Sequence, residues 1–150
     1  MTICGDGISR DWLEERIKQN NAPITYLGFI PENQKPKIFS KADVFISPSK
    51  NRRRFGMKVW EEQFGFTFIE AMASGLPVIS TSSGSIPEVL GPNNFLIEKV
   101  SVEEISKMLE KITSIPKYEL VDLGRKNQDR AKNYFDSKKN SRKILEMLRQ

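Results

Sequence analysis

Five short apolar stretches recur along this chain, and none alternates cleanly with polar residues. They are Thr2-Ile3-Cys4, Ile24 to Leu27, Val44 to Ser47, Pro77 to Thr81 and Phe95 to Ile97. A strand that is apolar at every position must be buried on both faces. The segments between them carry helical spacing. Ser9 to Asn20, capped by Ser9, puts Trp12, Leu13, Arg16 and Ile17 on one side; Asn33 to Lys41 has Pro36 near its first turn. Phe66 to Ser74 is predicted to be a helix stopped by Gly75, and Ser85 to Glu88 has the spacing of a capping box. Val102 to Ile115, Tyr118 to Phe135 and Ser137 to Arg149 complete the helices. Strand and helix in turn predict an α/β fold, a Rossmann-like parallel sheet with helices on both faces. No repeat or interdomain linker interrupts the pattern, so residues 1–150 read as one domain.

The composition removes several chemistries. The chain has no His and one Cys, which excludes Ser-His-Asp and Cys-His catalysis and the usual zinc sites. Cys4 has no internal disulfide partner, and a reducing, cytoplasmic setting is the simplest expectation. The net charge of +5 suits anionic ligands but does not by itself indicate nucleic acid, which is not expected as a partner.

The segment from Glu61 to Pro77 carries the chemistry. Glu70 lies in an otherwise apolar helix, and an ionised carboxylate there needs donors from solvent, from a cationic side chain or from a ligand. Gly65 precedes the helix and lets the backbone approach a ligand, or serves only as a turn residue. The first-turn N–H groups of Phe66 and Thr67 would be free to meet a phosphate. Glu62 stands just outside the helix start.

Glu62 and Glu70 with Phe64-Gly65 between them, followed by Ala71-Met72-Ala73-Ser74-Gly75-Leu76-Pro77-Val78-Ile79, resemble glycosyltransferase family 4. Cys4-Gly5-Asp6-Gly7, Tyr26 to Ile30, Ala42 to Ser49 and Gly84 to Val89 fit the same family's C-terminal donor-binding domain, in order. The resemblance implies half of a GT-B fold and a retaining transfer from a nucleotide-diphosphate sugar to a glycan, lipid or other acceptor. It implies catalytic-site roles for Glu62, on hydroxyls of the transferred sugar, and for Glu70, on the ribose hydroxyls. Phe66 and Thr67 would give N–H groups to the diphosphate beside Gly65. Gly84 and Ser85 would lie near sugar or phosphate, and Phe29 and Ile30 along the base. No cofactor and no metal are expected, and no D-x-D pair occurs.

Two departures from the family shape further expectations. The chain opens in what reads as the domain's second strand, without the Gly-Arg turn and Lys-Gly pair of the first. In the 3-2-1-4-5-6 order that first strand is central. The expectation is therefore a fragment or one half of a split enzyme, inactive alone and needing an acceptor-domain partner or a missing N-terminal half. The alternatives are a non-catalytic nucleotide-sugar-binding subunit, an inactive, ligand-free remnant and, more distantly, a GT-B nucleotide-sugar epimerase. The second departure is Ser49 to Glu61, read as a long basic loop containing Arg52, Arg53, Arg54 and Lys58. It faces water, or forms a lip for phosphate, an anionic acceptor or a membrane. Gly5-Asp6-Gly7 reads as a tight turn, Glu88 as a cap or a ligand contact, and Trp60 and Phe64 as packing groups. The basic, amphipathic C-terminal segment seeks a partner or a peripheral membrane contact at the cytoplasmic face.

Overall fold

The computed structural model describes residues 1–149, the side chains of residues 52–54 and 58 excepted. The chain divides into two compact units, Met1–Ile38 and Phe39 onward. In the first, strand β1 (Thr2–Ile3) pairs in parallel with β2 (Thr25–Tyr26) across helix α1 (Arg10–Gln19). The turn after β1 is held by Gly5 N–H on the Gly28 carbonyl at 2.7 Å and by the Tyr26 hydroxyl on the Gly5 carbonyl at 2.8 Å. The tight-turn reading of Gly5-Asp6-Gly7 stands, with the Gly7 N–H donating to Asp6 Oδ1. Ser9 precedes α1 but makes no side-chain cap, contrary to expectation; its φ and ψ of −97° and 10° lie outside the extended geometry a cap needs. A single 3-10 turn, Glu32–Gln34, leads into α2 (Lys35–Phe39), with Pro36 in its first turn.

The second unit contains a three-stranded parallel sheet, β3 (Phe45–Ile46), β6 (Val78–Thr81) and β7 (Phe95–Ile97), with β6 in the middle. Between β3 and β6 come an antiparallel hairpin, β4 (Arg52–Arg54) and β5 (Met57–Trp60), and helix α3 (Phe66–Ala73). Helices α4 (Ile86–Leu90), α5 (Val102–Ser114), α6 (Lys117–Tyr134) and α7 (Ser137–Met147) complete the order. Both faces of β6 are covered, which explains its unbroken apolar run. Val78 joins Phe68, Met72, Ile86, Leu90 and Ala131 in one cluster, while its neighbour Ile79 joins Ile97, Ile112 and Leu120 in the other.

The basic loop expected from Ser49 to Glu61 is corrected to the β4–β5 hairpin. Its strand signal, Met57-Lys58-Val59-Trp60 after a Phe55-Gly56 turn, is hidden in the sequence by the cations around it. The side chains of Arg52, Arg53, Arg54 and Lys58 lie outside the described residues. Trp60, expected to pack, is 44% exposed. Phe64 does pack, edge-on to Phe66 at 5.0 Å and to Phe135 at 5.9 Å. At the C-terminus, Ile144, Leu145, Met147 and Leu148 are exposed. Among the described residues no helix is long and apolar enough to cross a membrane.

One buried polar network ties α6 to the sheet. Asn127 is 0% exposed, and its amide donates to the Leu76 carbonyl at 2.8 Å and pairs with Asn94 at 2.7–2.9 Å. Asn94 in turn accepts the Val78 N–H and donates to the Leu90 carbonyl. Asn127→Ala leaves the Leu76 carbonyl and the Asn94 amide short of partners in the core. It is expected to cost about 1–3 kcal/mol of stability, read as a lowered midpoint in urea denaturation.

Candidate functional site

The site is built on the first turn of α3. Gly65 stands at the N-cap with φ 73° and ψ 63°, a left-handed conformation that favours glycine. A methyl group on it would lie 2.3 Å from the Phe68 ring and 3.5 Å from Glu62 Cγ. The position therefore excludes a side chain on two independent grounds. The first backbone bond of the turn runs from Phe68 N–H to the Gly65 carbonyl at 3.0 Å. The N–H groups of Phe66 and Thr67 precede any intrahelical partner, and both residues are exposed, Phe66 to 73%.

The other end of α3 is fixed from outside the helix. Gly75 (φ 79°) stops it, with Gly75 N–H on the Met72 carbonyl and Leu76 N–H on the Ala71 carbonyl. Helix α6 takes up further carbonyls there, through Gln128 on Ala73 and Asn127 on Leu76. Gly124 of α6 comes so close that a methyl group on it would meet the Gly75 carbonyl oxygen at 2.0 Å. The N-terminal turn of α3 is thus presented by a helix that cannot shift along its axis without breaking these contacts.

Glu62 is brought to that turn by a second segment. Its carbonyl oxygen accepts the Ser85 N–H at 3.0 Å and the Ser85 hydroxyl at 3.3 Å. Gly84 (φ 56°) presses its backbone on the same residue, leaving 2.0 Å between a hypothetical methyl group and the Glu62 carbonyl oxygen. Ser85 does not form the predicted capping box: it has helical backbone angles, φ −80° and ψ −3°, and makes no side-chain cap. Its hydroxyl serves Glu62 instead. The Glu88 carboxylate is exposed, and the Glu88 and Val89 carbonyls accept Arg130.

Five of the sequence-predicted residues, Glu62, Gly65, Phe66, Gly84 and Ser85, therefore meet at or beside one helix start, with Thr67 next along it. Glu70 follows roughly one and a half turns into α3 and is half-buried, as is Glu62. Phe29, exposed, and Ile30, half-buried, follow β2 in the first unit. Sequence reasoning missed the hydroxyl ladder that carries the chain out of β3. The Ser80 hydroxyl donates to the Ser47 carbonyl at 2.7 Å, Thr81 to the Ser49 carbonyl at 2.5 Å, and Ser83 to the Asn51 side chain. The signal was the run Ser80-Thr81-Ser82-Ser83 closing an otherwise apolar strand.

In this parallel α/β unit the first-turn amides of Phe66 and Thr67 open α3, with Glu62 before them and Glu70 roughly one and a half turns along. The model for the family described as glycosyl transferases group 1 matches residues 1–140, and the chain belongs to that family. Among curated relatives, the O-antigen chain mannosyltransferase B of Escherichia coli is 32% identical over 83 residues, 55% of this chain and 19% of that protein. A GDP-mannose-dependent phosphatidylinositol monomannoside mannosyltransferase of Corynebacterium glutamicum is 27% identical over 77% of this chain and 30% of its own length. The chain thus spans less than a third of these relatives. Solved GT-B structures share its fold. Sucrose-phosphate synthase of Thermosynechococcus elongatus superposes with a TM-score of 0.77 at 21% identity, covering 99% of this chain and 37% of that one. Anabaena HepE, solved with UDP and glucose, gives 0.75 at 20% identity, covering 98% and 39%.

Gly84→Ala is expected to force the Glu62 carbonyl away from the Ser85 amide and hydroxyl that donate to it. Overpacking of this kind costs about 1–3 kcal/mol, and the left-handed backbone adds to it. A lowered melting temperature checks this, with Gly7→Ala, whose methyl group meets nothing within 4 Å, as the control.

Proposed function

We propose that this chain is the donor-binding domain of a retaining, family 4 glycosyltransferase that takes a nucleotide-diphosphate sugar without a metal. The observation that carries the reading is the Glu62–Thr67 turn, fixed by Gly84 and Ser85 at the start of a clamped helix. The amides of Phe66 and Thr67 meet the diphosphate, where partial positive charge at a helix start is concentrated. Glu70 accepts hydrogen bonds from the ribose hydroxyls, and Glu62 from hydroxyls of the transferred sugar. Gly84 and Ser85 line the sugar and phosphate side. In transfer, the leaving nucleoside diphosphate gains charge, and amides already in place stabilise it without reorganising.

The short span relative to the relatives supports an acceptor site contributed from outside these residues, on further chain or on a partner. Two relatives' descriptions guide the choice of probe: one depends on GDP-mannose and one was solved with UDP and glucose. Titrating the full chain with UDP- and GDP-sugars in EDTA, by calorimetry, tests the reading. One nucleotide class is expected to bind. Glu70→Gln loses charge-assisted hydrogen bonds worth about 1.5–3 kcal/mol, so affinity falls about ten- to a hundredfold. Binding of neither class, or binding indifferent to Glu70→Gln, would contradict the assignment.

A further inference from the structure

Between Ser49 and Glu61 the sequence holds five cations, Lys50, Arg52, Arg53, Arg54 and Lys58, and no acid. Four of them fall in the hairpin, whose backbone pairs Arg54 with Met57, Arg53 with Lys58 and, past a register shift, Arg52 with Trp60. This ribbon is a two-stranded sheet of its own. Its root is held by Thr81 on the Ser49 carbonyl and by Ser83 on Asn51. Its turn is apolar, with Phe55 86% exposed and Met57 67%; Val59, 57% exposed, follows along β5, and Trp60, 44% exposed, stands at the root opposite Arg52. Phe55 has φ 50°, a left-handed conformation that bulky residues avoid and that a water-facing hairpin turn gives to Asn or Asp. Exposed apolar residues at the turn and along β5, in a segment whose sequence holds five cations and no acid, match an apolar phase beside an anionic one.

We propose that the β4–β5 hairpin docks this protein peripherally on an anionic lipid bilayer. Phe55, Met57 and Val59 enter the interfacial region, Trp60 meets its margin from the other face of β5, and the five cations of the segment supply the charge that draws it to anionic lipid. Aromatic and aliphatic groups among clustered cations are the combination that a bilayer interface rewards. A nucleic acid would use the charges and an aromatic face but not Met57 and Val59. An acidic peptide would need a groove that a two-stranded ribbon does not offer. The inference is independent of the nucleotide-sugar reading.

Vesicle flotation of the full chain tests it, using phosphatidylcholine vesicles with and without phosphatidylglycerol. Binding is expected only with the anionic lipid. Phe55→Asn suits the left-handed turn, so the fold is kept, while partitioning falls about tenfold. The triple variant R52S/R53S/R54S is expected to lower it about a hundredfold. In a Trp12→Phe background, brominated lipid should quench Trp60. Equal binding to both vesicles, no loss in Phe55→Asn, or no quenching of Trp60 overturns the proposal. So does displacement from vesicles by soluble glycerophosphoglycerol, which would mark a headgroup pocket, or tighter binding to duplex DNA than to vesicles. Nucleotide titration of Phe55→Asn keeps the two readings apart, since its donor binding is expected to be unchanged.

Discussion

The carbonyl oxygen of Glu62 is the point on which this site turns. It receives the amide and hydroxyl of Ser85 and lies against the Gly84 backbone with no room for a side chain between them. That junction fixes the entry to α3, and Gly65 then turns the chain into the helix in a conformation that glycine favours. The opposite end of α3 is anchored by amides of α6. A helix held at both ends presents its first-turn amides in one arrangement before any ligand arrives. Preorganisation of this kind lets backbone dipoles stabilise developing charge effectively.

Much of the fold could be read from residue patterns because the deciding forces are local. Unbroken apolar runs mark strands buried on both faces, and the sheet around Val78 and Ile79 shows this side by side. Gly75 ends α3 as its position suggests. What escaped depends on partners distant in sequence. The need for glycine at Gly84 comes from Glu62, and Ser85 leaves its capping role for the same partner. Asn94 and Asn127 look like ordinary surface amides until the core is assembled around them. The hairpin escaped for another reason: its turn carries Phe in place of Asn, and cations obscure the strand.

The candidate site was legible residue by residue only through family likeness, and the structure supplies what likeness could not. It joins residues 62–67 to residues 84–85 by named bonds, giving a mechanical reason for the glycines. The basic hairpin ends at Trp60, two residues before Glu62. The proposed docking surface and the proposed donor site are therefore neighbours along the chain.

In the proposed donor complex the amides at the start of α3 receive the diphosphate. Nitrogen–proton correlation spectra of the full chain, recorded while UDP or GDP is added, test it most directly. Large shifts are expected at the Phe66 and Thr67 amides, with smaller ones at Gly84 and Ser85. Saturable nucleotide binding that leaves Phe66 and Thr67 unmoved would contradict it.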